Sequence, residues 1–190
     1  FGCGSKPKER LIEFDEVVDY REVLFQGCDS LPTFKLSKKR TILDSLKANN
    51  YWFDESFCIE YNWFKLKLSN RLLKVGANKF NPPPGVFPRD VIQFVVNRNN
   101  QFMLNMDLID SIGKIDSTLY RELNKRDFKF LEHLIFQWDE GSSLQTIDSV
   151  FNEIEQGYTL FYDSIARQDY NSLIHNLSVK QLSSIQKDYP

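Results

Sequence analysis

The sequence predicts an α+β fold of two small modules. The second is a short mixed sheet in the order strand–strand–helix–strand–helix, with a helical extension at its C-terminal end. Three observations carry this. Residues 91–106 hold two runs of β-type residues, Val-Ile-Gln-Phe-Val-Val and Gln-Phe-Met-Leu-Asn-Met, which meet at the polar turn Asn97-Arg98-Asn99-Asn100. On both sides of the mostly apolar run 132–138, apolar residues recur at the three- and four-residue steps of a helix. Between these modules stands Asn81-Pro82-Pro83-Pro84-Gly85; consecutive prolines supply no backbone donors and favour extended chain, so neither helix nor central strand continues through them.

The elements follow in order. Residues 1–10 read as a polar tether, 11–80 as an N-terminal α+β module, 81–88 as a Pro-rich hinge and 89–190 as the second module. Residues 11–18 and 20–25 have β-like composition and end at Gly27-Cys28-Asp29-Ser30. Residues 38–47 predict a short helix with Ser37 as N-cap and Ile42, Leu43 and Leu46 facing inward. From 57 to 68 the chain alternates: Phe57, Ile59 and Tyr61 share one face, then Phe64, Leu66 and Leu68 share another. The change of parity places a bulge or turn near Asn62, with Lys65 and Lys67 on the solvated side.

After the hinge, Ile112, Ile115, Leu119 and Leu123 form the stripe of an amphipathic helix closed by Lys125-Arg126, cations suited to a helix C-terminus. Residues 132–138 form a strand for the sheet interior. Ser142 with Gln145 fits a capping box, Leu144, Ile147, Val150, Phe151 and Ile154 the buried face behind it, and Gly157 a stop. Two helical stretches follow, 158–168 and 179–187, separated by Asp169-Tyr170-Asn171.

Composition narrows the function classes. The 190-residue chain is 42% hydrophobic and 14% aromatic, with 16 Phe, which places it among core-forming proteins rich in aromatic packing. Its 24 basic and 26 acidic residues are dispersed and leave a formal charge of −2, so no electrostatic footprint for nucleic acid is present. At the beginning of the sequence, Phe1-Gly2-Cys3-Gly4-Ser5-Lys6 is similar to the tail of a bacterial lipoprotein signal, in which a small residue precedes an acylated cysteine. On that reading Cys3 carries lipid and anchors the protein without a spanning helix. Cys28 and Cys58 are then either bridged or unpaired buried thiols; a crosslink at that separation stabilises by roughly 3 to 4 kcal/mol in the chain-entropy account.

Motifs for catalysis are sparse. The two histidines, His133 and His175, stand in apolar stretches and suit structural roles better than catalytic ones. No Gly-x-Ser-x-Gly, phosphate-cradling or His-Glu-x-x-His pattern occurs, and no Cys/His spacing suggests a metal or cofactor. Asp139 and Glu140 flank the end of the expected central strand, with Asp107 and Asp110 near a neighbouring turn, as general-acid candidates. Turn formation accounts for them more simply, just as capping accounts for Gly141-Ser142-Ser143 better than anion binding does. Tyr51, Trp52, Phe53, Trp63 and Phe64 are the partner-binding candidates: exposed, they could stack on sugar or engage a protein, and as core residues they need no further account.

The order of elements from 89 onward resembles the periplasmic domain of the ExbD/TolR family, the small subunits of proton-driven envelope motors. Phe136-Gln137-Trp138-Asp139 stands where the family's third strand ends in an apolar-acidic step. Ile147, Val150 and Ile154 match the pattern of the following helix, and Tyr162, Arg167, Tyr170, Leu173, Gln181, Ile185 and Pro190 can be laid on the helical tail of some members. The family's membrane helix with its proton-handling aspartate has no counterpart, so no proton-coupled role is carried over, and residues 11–80 have none in the family. The resemblance implies a periplasm-facing envelope domain that forms a homodimer or docks on a motor, a TonB-like protein or the cell wall. The expected function is therefore non-catalytic: a lipid-anchored protein scaffolding an envelope protein complex. An immunity-type lipoprotein neutralising a toxin, and a peptidoglycan-binding or cell-wall-acting protein, are the alternatives.

Overall fold

The computed structural model describes residues 31–37, 62–77, 91–125 and 133–189, with positions 20, 24, 25, 44 and 48. The fold is α+β, with two mixed sheets and a helical C-terminal extension. Strands β1 (Thr33–Lys35), β2 (Asn62–Lys67) and β3 (Leu72–Ala77) form the first sheet in that order, β1 parallel and β3 antiparallel to β2. The second sheet has the order β6-β5-β4-β7, from β4 (Val91–Val96), β5 (Phe102–Leu104), β6 (Asp107–Ile109) and β7 (His133–Trp138). β4 runs parallel to β7 and antiparallel to β5, and β5 is antiparallel to β6. Helix α1 (Ile115–Asn124) links β6 to β7; α2 (Leu144–Tyr170) and α3 (Val179–Asp188) follow.

Period-2 alternation sorts the sheets. Ile92, Phe94 and Val96 of β4, Leu104 of β5 and Ile109 of β6 enter the main core with Ile115, Leu119 and Leu123 of α1 and Val150, Ile154, Phe161 and Ile165 of α2. In the first sheet, Phe64 and Leu66 together with Leu68 form a second cluster with Ile147 and Phe151, one turn apart near the start of α2. Phe136 and Trp138 of β7 pack against both clusters. α2 therefore touches both sheets.

Several sequence expectations change. The expected strand 101–106 is a hairpin, because Asn105 and Met106 both adopt left-handed backbone (φ 50° and 75°) and return the chain as β6. Gly157 does not stop α2, which runs on through the expected helix 158–168. A Cβ built at Gly157 would lie 3.0 Å from both Asp116 O and Leu119 Cδ2, so glycine permits the close approach of α1 and α2. The helix ends instead at Asn171, in left-handed conformation (φ 52°), whose N–H is taken up by Ala166 and Arg167 carbonyls. The N-cap is Ser143, whose Oγ accepts from Thr146 N–H, so the cap lies one residue beyond the expected Ser142 and is a single bond in place of the expected Ser142–Gln145 box; Leu144 falls outside the buried face. Tyr20, Leu24 and Phe25 are helical, against their β-like composition, whereas Asp44 is helical as the expected helix 38–47 has it and Ala48 is helical one residue beyond that range. Lys65, expected on a solvated face, is only 6% exposed.

The first sheet also meets α2 through polar groups. Asp148, Asn152 and Glu155 recur at steps of four and three, one stripe beside Ile147 and Phe151. Ser69 N–H donates to Asp148 Oδ1 (3.2 Å), Arg71 Nη1 to Asn152 Oδ1 (2.6 Å) and Arg71 Nη2 to the Asp148 carbonyl (3.3 Å). Arg71 Nε lies 3.0 Å from Glu155 Oε2, near enough for ionic attraction though not aligned as a hydrogen bond. Glu155 is buried, so this cation compensates a desolvated charge.

Two stability predictions follow from these contacts. Arg71→Met leaves Glu155 without its arginine and lowers unfolding free energy by about 3 kcal/mol, read as a shift of the urea midpoint, while Lys67→Met in the same sheet changes it little. Gly157→Ala destabilises by about 1 to 2 kcal/mol although alanine favours helix, because the methyl group overpacks the α1–α2 crossing; thermal denaturation measures it.

Candidate functional site

The two outer strands of the second sheet and the loops at its ends hold the groups that could act on another molecule. At the carboxyl ends of β4 and β7 the polar loops are absorbed by one another. Asp139 Oδ1 accepts from Gly141 N–H (2.8 Å), Ser142 Oγ donates to the Asn97 carbonyl (2.9 Å), and Asn100 Oδ1 accepts from Ser143 N–H (3.0 Å). Asp139 is thus a turn former. Its nearest cation is Arg98, Nε 3.9 Å from Oδ2 and well exposed, a pair that contributes little in water.

The other acids do not converge on it. Asp107 pairs in register with Leu104, toward the opposite end of the sheet. Asp110 follows Ile109 at the same end as Asp139, but three strand spacings of about 4.8 Å separate their strands, too far for a shared proton or for two carboxylates flanking one bond. Lys114 Nζ donates to Asp110 Oδ2 at 2.8 Å, and this hydrogen bond, helped by the ammonium charge, holds the Asp110 carboxyl below the usual range.

The remaining sequence candidates separate. Phe64 is 4% exposed, edge-on to Phe34 with ring centroids 5.5 Å apart, so the core claims it and it offers no contact surface. Trp63 lies in β2. Tyr51, Trp52, Phe53, Cys3, Cys28 and Cys58 lie outside the described residues. His133 is in β7; His175 is exposed on the 3-10 turn Ile174–Asn176 rather than among apolar groups. Among the described residues, no cluster of three His, Cys, Asp or Glu could hold a metal ion, and no helix is long and apolar enough to cross a membrane. A shallow depression beside the end of α2 is lined by Arg167, Asn171, Ser172, Leu173 and Asn176.

The feature that sequence reasoning missed is the β5–β6 hairpin. Its two-residue turn has positive φ at both positions, the type I′ geometry that usually calls for Asn-Gly. Asn105 suits the first position, and its Oδ1 accepts from Gln93 N–H (3.0 Å). Met106 occupies the glycine position, in a conformation that is strained for an unbranched side chain. It is 80% exposed, and Leu108 on the edge strand is 61% exposed. The signal available in the sequence was an asparagine followed by a second short apolar run, Leu108-Ile109, but methionine hid the turn.

Both phenols of Tyr158 and Tyr162 are shifted upward. The rings stack with centroids 6.2 Å apart, and Tyr162 Oη donates to the Tyr189 carbonyl. Burial pushes the Tyr162 hydroxyl up to about 12, and burial, with the neighbouring Tyr162, raises Tyr158 further. The folded state thus favours the neutral phenols. Their contribution to stability is complete below the ordinary tyrosine value of about 10 and is lost as pH rises toward 12. Urea midpoints measured between those limits fall with pH in the native protein and fall less in Tyr158→Phe/Tyr162→Phe.

Comparison with family models, with curated proteins and with solved structures finds no match to this chain.

Proposed function

We propose that this protein is a non-catalytic, lipid-anchored component of the bacterial cell envelope. It scaffolds an envelope protein complex through its second module, which resembles an ExbD/TolR periplasmic domain in its order of elements. The observation that supports a binding role most directly is the β5–β6 hairpin, which holds two large apolar side chains in water at the outer edge of a well-packed sheet. Folding gains nothing from either exposure. The acids that would have served a catalyst are spent on turns or stand apart, as described above, which leaves the hairpin as the best-supported working surface.

Anchoring at Cys3 would hold that surface within reach of membrane-embedded machinery at the cost of a tether only. The test is fractionation of cells producing the native protein. The wild type is expected with the membranes, and Cys3→Ser in the soluble envelope fraction. Met106→Ser/Leu108→Ser should stay on the membrane while losing its co-purifying envelope proteins from detergent extracts. Soluble wild-type protein, or an undiminished complex in the double variant, would rule the proposal out.

A further inference from the structure

The register of the second sheet fixes which backbone groups face outward at its edge. Asn105 N–H donates to the Gln93 carbonyl (2.8 Å) and Asn97 N–H to the Gln101 carbonyl (3.1 Å), so the odd-numbered residues around β5 face β4. Phe102 and Leu104 accordingly turn their backbone groups toward β6, where Ile109 and Asp107 stand opposite them. Leu108, between these two, points its N–H and C=O away from the sheet. Among the described residues β6 pairs with β5 alone.

Natural sheets shield such an edge with lysine, proline, a bulge or a covering segment. β6 is short and carries one charge, Asp107, but its sequence Asp-Leu-Ile has no lysine, proline or bulge. Its turn adds Met106, strained and exposed, in the place where glycine would relieve the strain. On the face opposite the core, Leu108 continues a row with Met103 and Val95 that leads inward from the edge. The edge therefore offers a backbone donor and acceptor, an apolar row and an apolar knob together.

Resting on the binding role proposed above, we infer that β6 takes up an extended segment of another protein as a fifth strand. The added strand uses main-chain hydrogen bonds to Leu108 and packs apolar side chains against Leu108 and Met106. Charge selects its chemistry. Asp110 has Lys114 as partner, whereas Asp107 is exposed with no ion-pair partner among the described residues. A segment carrying lysine or arginine beside its apolar positions answers Asp107. A second copy does not: antiparallel pairing of two β6 strands centred on Leu108 brings the two Asp107 carboxylates onto one face, diagonal to each other.

The test uses the full chain, isotopically labelled, titrated with the peptide Lys-Val-Thr-Val-Lys and its counterpart Glu-Val-Thr-Val-Glu, both blocked at the ends. The lysine peptide is expected to shift amide resonances saturably around 106–110 and at Met103, about tenfold more tightly than the glutamate peptide. Leu108→Pro removes the outward N–H and abolishes the response; Leu108→Lys, which keeps every backbone group, serves where the proline variant fails to fold and is expected to abolish it too. Met106→Gly raises Tm while weakening binding about tenfold, separating a contact role from a folding role. Absence of saturable shifts, shifts centred elsewhere, equal affinity for the two peptides, or concentration-dependent dimerisation through β6 would overturn the inference. None of these results touches the membrane release of Cys3→Ser, so failure here is distinguishable from failure of the envelope assignment.

Discussion

The fold depends on burying two adjoining stripes of one helix. Along α2, Val150, Ile154, Phe161 and Ile165 enter the main core, while Ile147 and Phe151 enter the cluster beneath the first sheet. Each fully buried side chain of this size contributes roughly 1.5 to 3 kcal/mol relative to exposure. An aromatic chain joins the two clusters: Phe94 meets Phe136 at 5.8 Å, and Phe136 meets Phe151 edge-on at 4.5 Å. The abundance of phenylalanine thus finds a physical use, since large planar rings span the gap between layers that aliphatic groups would leave open.

Once α2 is placed, its other contacts follow. Its second half receives both ends of the described chain: Phe25 lies 6.2 Å from Tyr162, and Tyr189 packs edge-on to Phe161 at 6.1 Å. Its crossing with α1 requires a residue without a side chain, which Gly157 supplies. Its polar stripe meets Arg71, which orients the first sheet where apolar packing alone would be indifferent to rotation. Directional bonds add less energy than burial but set geometry.

This rigidity bears on function. Turns at the carboxyl end of the second sheet are closed by side chains of the turns themselves, through Asp139, Ser142 and Asn100. The β5–β6 hairpin differs, since its outer side chains face water and its turn retains backbone strain. In the proposed binding role, a well-packed sheet whose β6 edge is open among the described residues would keep its outward groups ordered in advance, which lowers the entropy lost on association.

Periodicity alone determined much of the second module. The alternation at 91–96, the stripe of Ile115, Leu119 and Leu123, the apolar run ending at Trp138 and the α3 segment all lie where the sequence places them, because each has one face that must be buried and a period that names its geometry. Gly157, Met106 and Lys65 were misread for a common reason. A glycine reads as a helix stop until another helix is seen against it, and methionine hides a turn that only backbone dihedrals reveal. A lysine opposite leucines reads as solvated until the chain around it is in place. Gly157 and Lys65 were decided by tertiary packing and the turn at Met106 by its backbone dihedrals, none of which the local pattern of residues encodes. The same holds for the proposed binding surface: composition could bound what the protein touches, but only strand order puts β6 at the edge of the sheet among the described residues, and only register shows that the Leu108 backbone groups face outward.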